Sequence, residues 1–209
     1  MKTALSSESL NSAMAAVTDY LLPDLPLFPF FGSLLGYTRN GSLIEGDDDL
    51  DFFIDRRRFD ELVGKISNSR SFEILIYDLR SPFILFRATA VPEVPIAVHG
   101  YRTETHSIVD RWNFSGLPHF GLLSLRVPNA LVFPLEYRSD LALWMPCHSE
   151  ALCRFLYGKK WRTPQTKFVD YKAVAVLGTP IRLYGKAARL SQIIINNLKK
   201  FAPNRSVKA

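Results

Sequence analysis

The run Gly46 to Asp51, GDDDLD, passes without a break into Phe52-Phe53-Ile54, and that junction limits what the chain can become. The apolar triplet needs a buried place, whereas Asp47, Asp48, Asp49 and Asp51 need solvent or a counter-cation. A strand whose first residues reach the edge of a sheet while the rest lies in the core meets both demands. In an extended strand residues two apart share a side, so Asp49 and Asp51 can share one ion. Asp47 joins them if the chain stays extended, and Asp48 and Leu50 then face the other way. Oxygen-only ligands suit a hard ion such as Mg²⁺ or Mn²⁺.

Upstream lies FFGSLLGYTRNG, an apolar approach to a Gly32-Ser33 turn, a short helix through Leu34, Leu35 and Tyr37, and a stop at Asn40-Gly41. A Gly-Ser turn opening a helix offers backbone N–H groups, a hydroxyl and the positive end of a helix dipole to a phosphate. Arg39, at the end of that helix, adds a forked donor for the same phosphates. A Gly-Ser turn at a short helix, followed by Asp-x-Asp on the next strand, is the logic of the nucleotidyltransferase fold. The bland alternative is a solvated acidic loop.

With 209 residues and 47% apolar content the chain reads as a single domain, 1–209, with a substantial core. A helix carries Leu10, Met14, Val17 and Leu21 and ends before Pro23, and a second places Phe59, Leu62, Val63 and Ile66 on one face. FEILIYDL, PFILFRATAV and VPIAVHGYR read as strands, ALVFPLEYRSDLALWMP as a hairpin turning at Arg138-Ser139-Asp140, and HSEALCRFLYG as a helix from a Ser cap to Gly158. The segment from Thr103 to Ser124 fits no element clearly. The order predicts an α/β (α+β) fold: a nucleotidyltransferase-like mixed sheet flanked by helices, with a C-terminal helical extension around Leu190–Leu198. The net charge of +6 is concentrated there, since no acid follows Asp170, while residues from Lys172 to Lys208 include eight basic ones. That extension, about 173–209, is either a solvated basic face or a contact for an anionic partner such as a membrane surface.

Two separated blocks carry a family resemblance. GSLLGYTRNGSLIEGDDDLDFFI, and far downstream the stretch from VFPLEYRSD to KFVDYK with its Tyr157-Gly158 and Trp161-x-x-Pro164, together resemble the LicD/fukutin family. The resemblance implies an enzyme that transfers a phospho-alcohol, such as phosphocholine or ribitol phosphate, from a CDP-activated donor to a glycan or glycolipid hydroxyl. It implies that Asp47, Asp49 and Asp51 hold Mg²⁺, with Asp49 and Asp51 catalytic, and that Gly32, Ser33 and Arg39 cradle the donor's phosphates. No specific nucleic-acid partner is implied.

The sequence departs from that pattern at Ala97, where a further acid is expected on a later strand. Glu93, His99 and Asp110 are the substitutes, and His99, titrating near neutrality, is the candidate base unless it is a structural histidine. Trp161, Arg162 and Asp170 either border a donor or acceptor pocket or simply anchor a loop behind the helix. Cys147, His148 and Cys153 lack the spacing of a zinc site. Two further readings stay open: a nucleotidyltransferase moving a nucleoside monophosphate to a small molecule or RNA, and a degenerate relative that binds nucleotide without turnover. No stretch of about 18 apolar residues is present. The expected location is therefore the cytoplasm of a bacterium, peripheral to a membrane at most, or the Golgi lumen for a shortened eukaryotic chain.

Overall fold

Helical spacing turns Leu10, Ala13, Met14 and Val17 inward on α1 (Ser7–Tyr20) in the computed structural model, which describes residues 5–79, 82–112, 123–164, 174–176 and 179–180. The Ser6 hydroxyl caps this helix, accepting from the Ser9 backbone N–H at 3.0 Å. Next come β1 (Phe28–Pro29) and α2 (Phe31–Asn40), which stops at Gly41, whose φ of 70° is the left-handed turn a helix end favours. After β2 (Leu50–Asp55) a single 3-10 turn, Arg56–Arg58, leads into α3 (Phe59–Ser67), which buries Phe59, Leu62 and Ile66.

A long strand, β5 (Val91–Thr103), organises the sheet. It runs parallel to β2, from Leu50 opposite Ile96 to Asp55 opposite Tyr101. Its other flank pairs antiparallel with β4 (Phe83–Ala88), which in turn carries β3 (Phe72–Asp78) at the sheet's rim. Beyond Tyr101, β5 pairs with β6 (Ser107–Trp112) at Arg102 and Thr103. The sheet continues through β7 (Leu123–Pro128), β10 (Val174–Val176) and β11 (Thr179–Pro180), joining nine strands among the described residues. Pro92 and Pro95 fit in β5 because they precede Ile96, where β2 pairing begins, and lie where the β4 ladder shifts register.

The remaining elements close one end: α4 (Asn129–Val132), the hairpin β8 (Leu135–Arg138) and β9 (Leu143–Pro146), and α5 (Ser149–Tyr157). Phe28, Phe30, Phe52 and Phe53 are fully buried where β1, β2 and the start of α2 meet, and Phe30 stacks on Phe53 at 4.0 Å. Each such ring contributes about 1.5–3 kcal/mol by burial alone. The mixed α+β sheet with flanking helices is the architecture the sequence led us to expect.

Three details differ from expectation. The apolar run PFILFRATAV is not one strand, because β4 ends at Ala88 and β5 starts at Val91 after a turn at Thr89-Ala90. Ser149 does not cap α5; its hydroxyl donates backwards to the Pro146 carbonyl at 2.5 Å, and His148 occupies the cap position without a side-chain bond. Residues 107–112 of the unassigned stretch form β6. Asp170, the helix expected around Leu190–Leu198 and most of the basic extension lie outside the described residues.

Candidate active site

The turn into α2 is tight and strained. Phe30 is extended, with φ −135° and ψ 177°, and its N–H donates to the Asp51 carbonyl at 2.9 Å. Phe31 follows at φ 44°, a left-handed conformation that costs a residue with a side chain about 1–2 kcal/mol. Aromatic contacts hold it there: its ring lies 5.0 Å from Phe30, 5.8 Å from Phe53 and 5.8 Å from His99. A Cβ on Gly32 would lie 2.5 Å from Asp47 Oδ2, so only glycine lets that carboxylate rest against the helix start. Ser33 is 2% exposed, and its hydroxyl accepts from the Asp51 backbone N–H at 3.0 Å. Helix α2 and strand β2 are thus tied in both directions at Asp51.

The acids divide between turn and strand. Strand β2 begins at Leu50, so Asp47, Asp48 and Asp49 lie in the approach to it and do not alternate sides. One carboxylate oxygen from each comes within 4.8 Å of the others, which brings Asp48 into the cluster instead of turning it away. Asp51 stands on the strand itself. Burial, reinforced by the charges of Asp49, Asp47 and Asp48 and opposed by His99, pushes its carboxyl up to about 8. Such crowding is the condition a bound cation relieves, and the all-carboxylate donor set fits a hard divalent ion.

Across the sheet, Ala97 is the register partner of Asp51, leaving β5 without a carboxylate there. His99, two residues on and on the same face, has Phe53 as its partner, and its Nδ1 lies 3.1 Å from Asp110 Oδ2 on β6. Glu93 is engaged elsewhere, accepting from the Ser9 hydroxyl at 2.6 Å, and that contact ties β5 to α1. Arg39 sits in the last turn of α2, about 9 Å along the axis from Ser33, with its Nε buried and, among the described residues, without a hydrogen-bond partner. Trp161 is 4% exposed; the Arg162 guanidinium covers its ring at 4.3 Å and pairs with Glu150 at 2.6 Å. Among the described residues, Cys147, His148 and Cys153 form no metal-ligand group. Sequence reading missed the strain at Phe31, the membership of Asp48 and the partnership of Asp110 with His99. A positive φ and a contact between separate strands leave no local signature.

No family model matches the chain, and no curated protein matches it either. Solved structures do. The lincosamide antibiotic adenylyltransferase LnuA, lincomycin-bound, is 13% identical with a TM-score of 0.44, covering 69% of this chain and 80% of that one. ANT(2″)-Ia in complex with adenylyl-2″-tobramycin is 12% identical with a TM-score of 0.44, over 94% and 97% of the two chains. Terminal uridylyl transferase 4 from Trypanosoma brucei, with bound CTP, is 13% identical with a TM-score of 0.31, over 46% and 32%.

These findings correct the LicD/fukutin reading: the chain matches no such family, and the structures it resembles are adenylyl- and uridylyltransferases. The phospho-alcohol transfer, the CDP-activated donor and the glycan or glycolipid acceptor fall with it, while most of the basic extension expected to meet a membrane surface lies outside the described residues. The physical reason is visible in the two blocks. The first carries a Gly-Ser turn and an acid run that more than one transferase class can use, and in the described part of the second Trp161 is buried with the Arg162 guanidinium over its ring. Among the described residues no helix is long and apolar enough to cross a membrane.

Proposed function

We propose that this chain is a divalent-cation-dependent nucleotidyltransferase, moving a nucleoside monophosphate from a nucleoside triphosphate to a hydroxyl of a small molecule or an RNA with release of pyrophosphate. The observation that supports this reading is the double tie between α2 and β2, which sets the start of a ten-residue helix against a carboxylate cluster. The first N–H groups of α2 have no acceptor within their own helix and carry the positive end of its dipole toward an anion. Asp47, Asp49 and Asp51, with Asp48 beside them, would hold Mg²⁺ or Mn²⁺. When bound, the cation neutralises charge on the phosphates and on the departing pyrophosphate.

The chain's own residues do the rest. Gly32 leaves room for the Asp47 carboxylate against the helix start, and the Ser33 oxygen, already accepting from Asp51, retains its proton for a phosphate oxygen. Arg39 adds charge from the far end of α2, since helical side chains lean toward the N-terminus. These placements hold the donor in one orientation, and orientation supplies a large share of catalysis in phosphoryl-group transfer.

The test is incubation of the protein with Mg²⁺ or Mn²⁺, each of the four nucleoside triphosphates and a panel of acceptors: a lincosamide, an aminoglycoside and a short RNA. Pyrophosphate release together with an acceptor heavier by one nucleotide is the expected result, lost in Asp49→Asn. Equal binding of Mn²⁺ and nucleotide by Asp49→Asn and the wild type would falsify the assignment.

A further inference from the structure

Resting on the nucleotidyl-transfer reading, a further question is where the acceptor's proton goes. In that reading the carboxylates of the acidic cluster are taken up by a cation, and β5 offers none beside them, because Ala97 stands opposite Asp51 and Glu93 is engaged by the Ser9 hydroxyl. The next residue of β5 on that face is His99. Three rings surround it, Phe31 at 5.8 Å, Phe53 at 5.6 Å and Phe83 at 5.0 Å, and its side chain keeps 16% exposure.

Behind it, on β6, Asp110 is 4% exposed. A buried carboxylate without partners is costly, yet among the described residues Oδ2 of Asp110 has no directed hydrogen bond; its close neighbour is His99 Nδ1 at 3.1 Å. The separation suits an ion pair, a contact that imidazolium charge would strengthen. The sheet order sets β5 between β2 and β6, so His99 stands between the acid cluster and Asp110.

We propose that Asp110 is a positioning residue that holds Nδ1 of His99, leaving Nε2 to accept the proton of the acceptor hydroxyl. In the step, the acceptor oxygen bonds to the α-phosphorus as the bond from that phosphorus to the bridging oxygen breaks. Pyrophosphate departs with that bond's electron pair, and the hydroxyl proton ends on Nε2. Burial pulls the imidazole down, while the Asp110 carboxylate beside Nδ1 pulls it up and so favours the imidazolium formed when Nε2 takes the proton.

Long-range nitrogen–proton correlation on the full chain with nitrogen-15-labelled histidine reads which ring nitrogen carries the proton, and His99→Gln identifies the His99 signals among the four histidines. In the neutral ring the expected form is Nδ1–H. Asp110→Asn redistributes it, and Asp110→Glu, which keeps the charge, preserves it. Mn²⁺ broadens the His99 ring signals in the wild type and in Asp110→Asn, but not in Asp49→Asn. In pyrophosphate release from Mg²⁺ and the four triphosphates with the acceptor panel, His99→Gln lowers kcat about a hundredfold or more and Asp110→Asn about tenfold or more, with nucleotide KM held within about twofold.

An unchanged His99 tautomer in Asp110→Asn, or full kcat in His99→Gln, overturns the assignment of His99 and Asp110 while leaving the transferase reading intact. A wild type that shows neither Mn²⁺ broadening nor pyrophosphate release overturns both.

Discussion

Gly32 is where one methyl group separates folding from function. Alanine there would gain about 1 kcal/mol of helix propensity, and the atom its Cβ meets, Asp47 Oδ2, is the end of a side chain that can rotate away. We therefore expect Gly32→Ala to leave the urea midpoint of the metal-free protein nearly unchanged while weakening Mn²⁺ binding about tenfold by calorimetry, because the displaced carboxylate is one of the proposed ligands. The two cysteines give a second residue-level contrast. Burial raises the Cys153 thiol to about 11, so at pH 8 only about one molecule in a thousand carries the reactive thiolate. Raising the pH toward 11 increases that fraction, but the side chain has no exposure in the fold. Alkylation at pH 8 should modify Cys147 first, with Cys153 reacting at the rate of unfolding, as mass spectrometry of the alkylated chain will show. Side-chain chemistry of this kind is readable in a sequence only where neighbours in the chain are neighbours in space. The run from Asp47 to Asp49 met that condition; the bond between Ser33 and Asp51, 18 residues apart, did not, nor did Phe31, whose φ of 44° is accompanied by contacts with the rings of Phe30, Phe53 and His99.

At the scale of elements, the contact between α2 and β2 rests on few groups. The Asp51 N–H is satisfied by the Ser33 hydroxyl, in a place where Ser33 is 2% exposed. Ser33→Ala removes the acceptor and strands a buried donor, a loss of about 1–3 kcal/mol, and should lower the urea midpoint without changing the slope of the transition. Ser33→Thr, which keeps an oxygen, should recover part of that loss. Helices α1, α2 and α3 were legible because their apolar positions recur at the helical period and their ends carry Ser6, Gly41 and Asn68. The break between β4 and β5 was not, since Thr89 and Ala90 are ordinary strand-compatible residues and the turn is enforced by pairing on both sides. The same limit applied to Ser149, whose hydroxyl donates back to the Pro146 carbonyl.

Over the whole molecule, the layout follows from β5, which meets β2 on one flank and β4 on the other before passing to β6. That path lets residues as far apart in sequence as Asp51, His99 and Asp110 share one region, and no local pattern announces it. It also places the repulsion among Asp47, Asp48, Asp49 and Asp51 beside the most buried aromatic core, so the folded state retains an electrostatic penalty that the unfolded chain sheds. A ligand that binds only the folded cluster should therefore appear as stability. At a concentration of one hundred times its dissociation constant, such a cation adds about 2.7 kcal/mol, and a chain of this size gains about 2–4 °C for each kcal/mol. We expect Mn²⁺ to raise Tm by about 5–10 °C over protein in EDTA, and Asp49→Asn to abolish the increment. Calcium, larger and content with irregular oxygen shells, separates a general relief of charge from a site shaped for a small ion: an equal rise with Ca²⁺ would mean the cluster is merely a screened acidic patch, while a smaller one would support a site built for the ion that phosphates accompany.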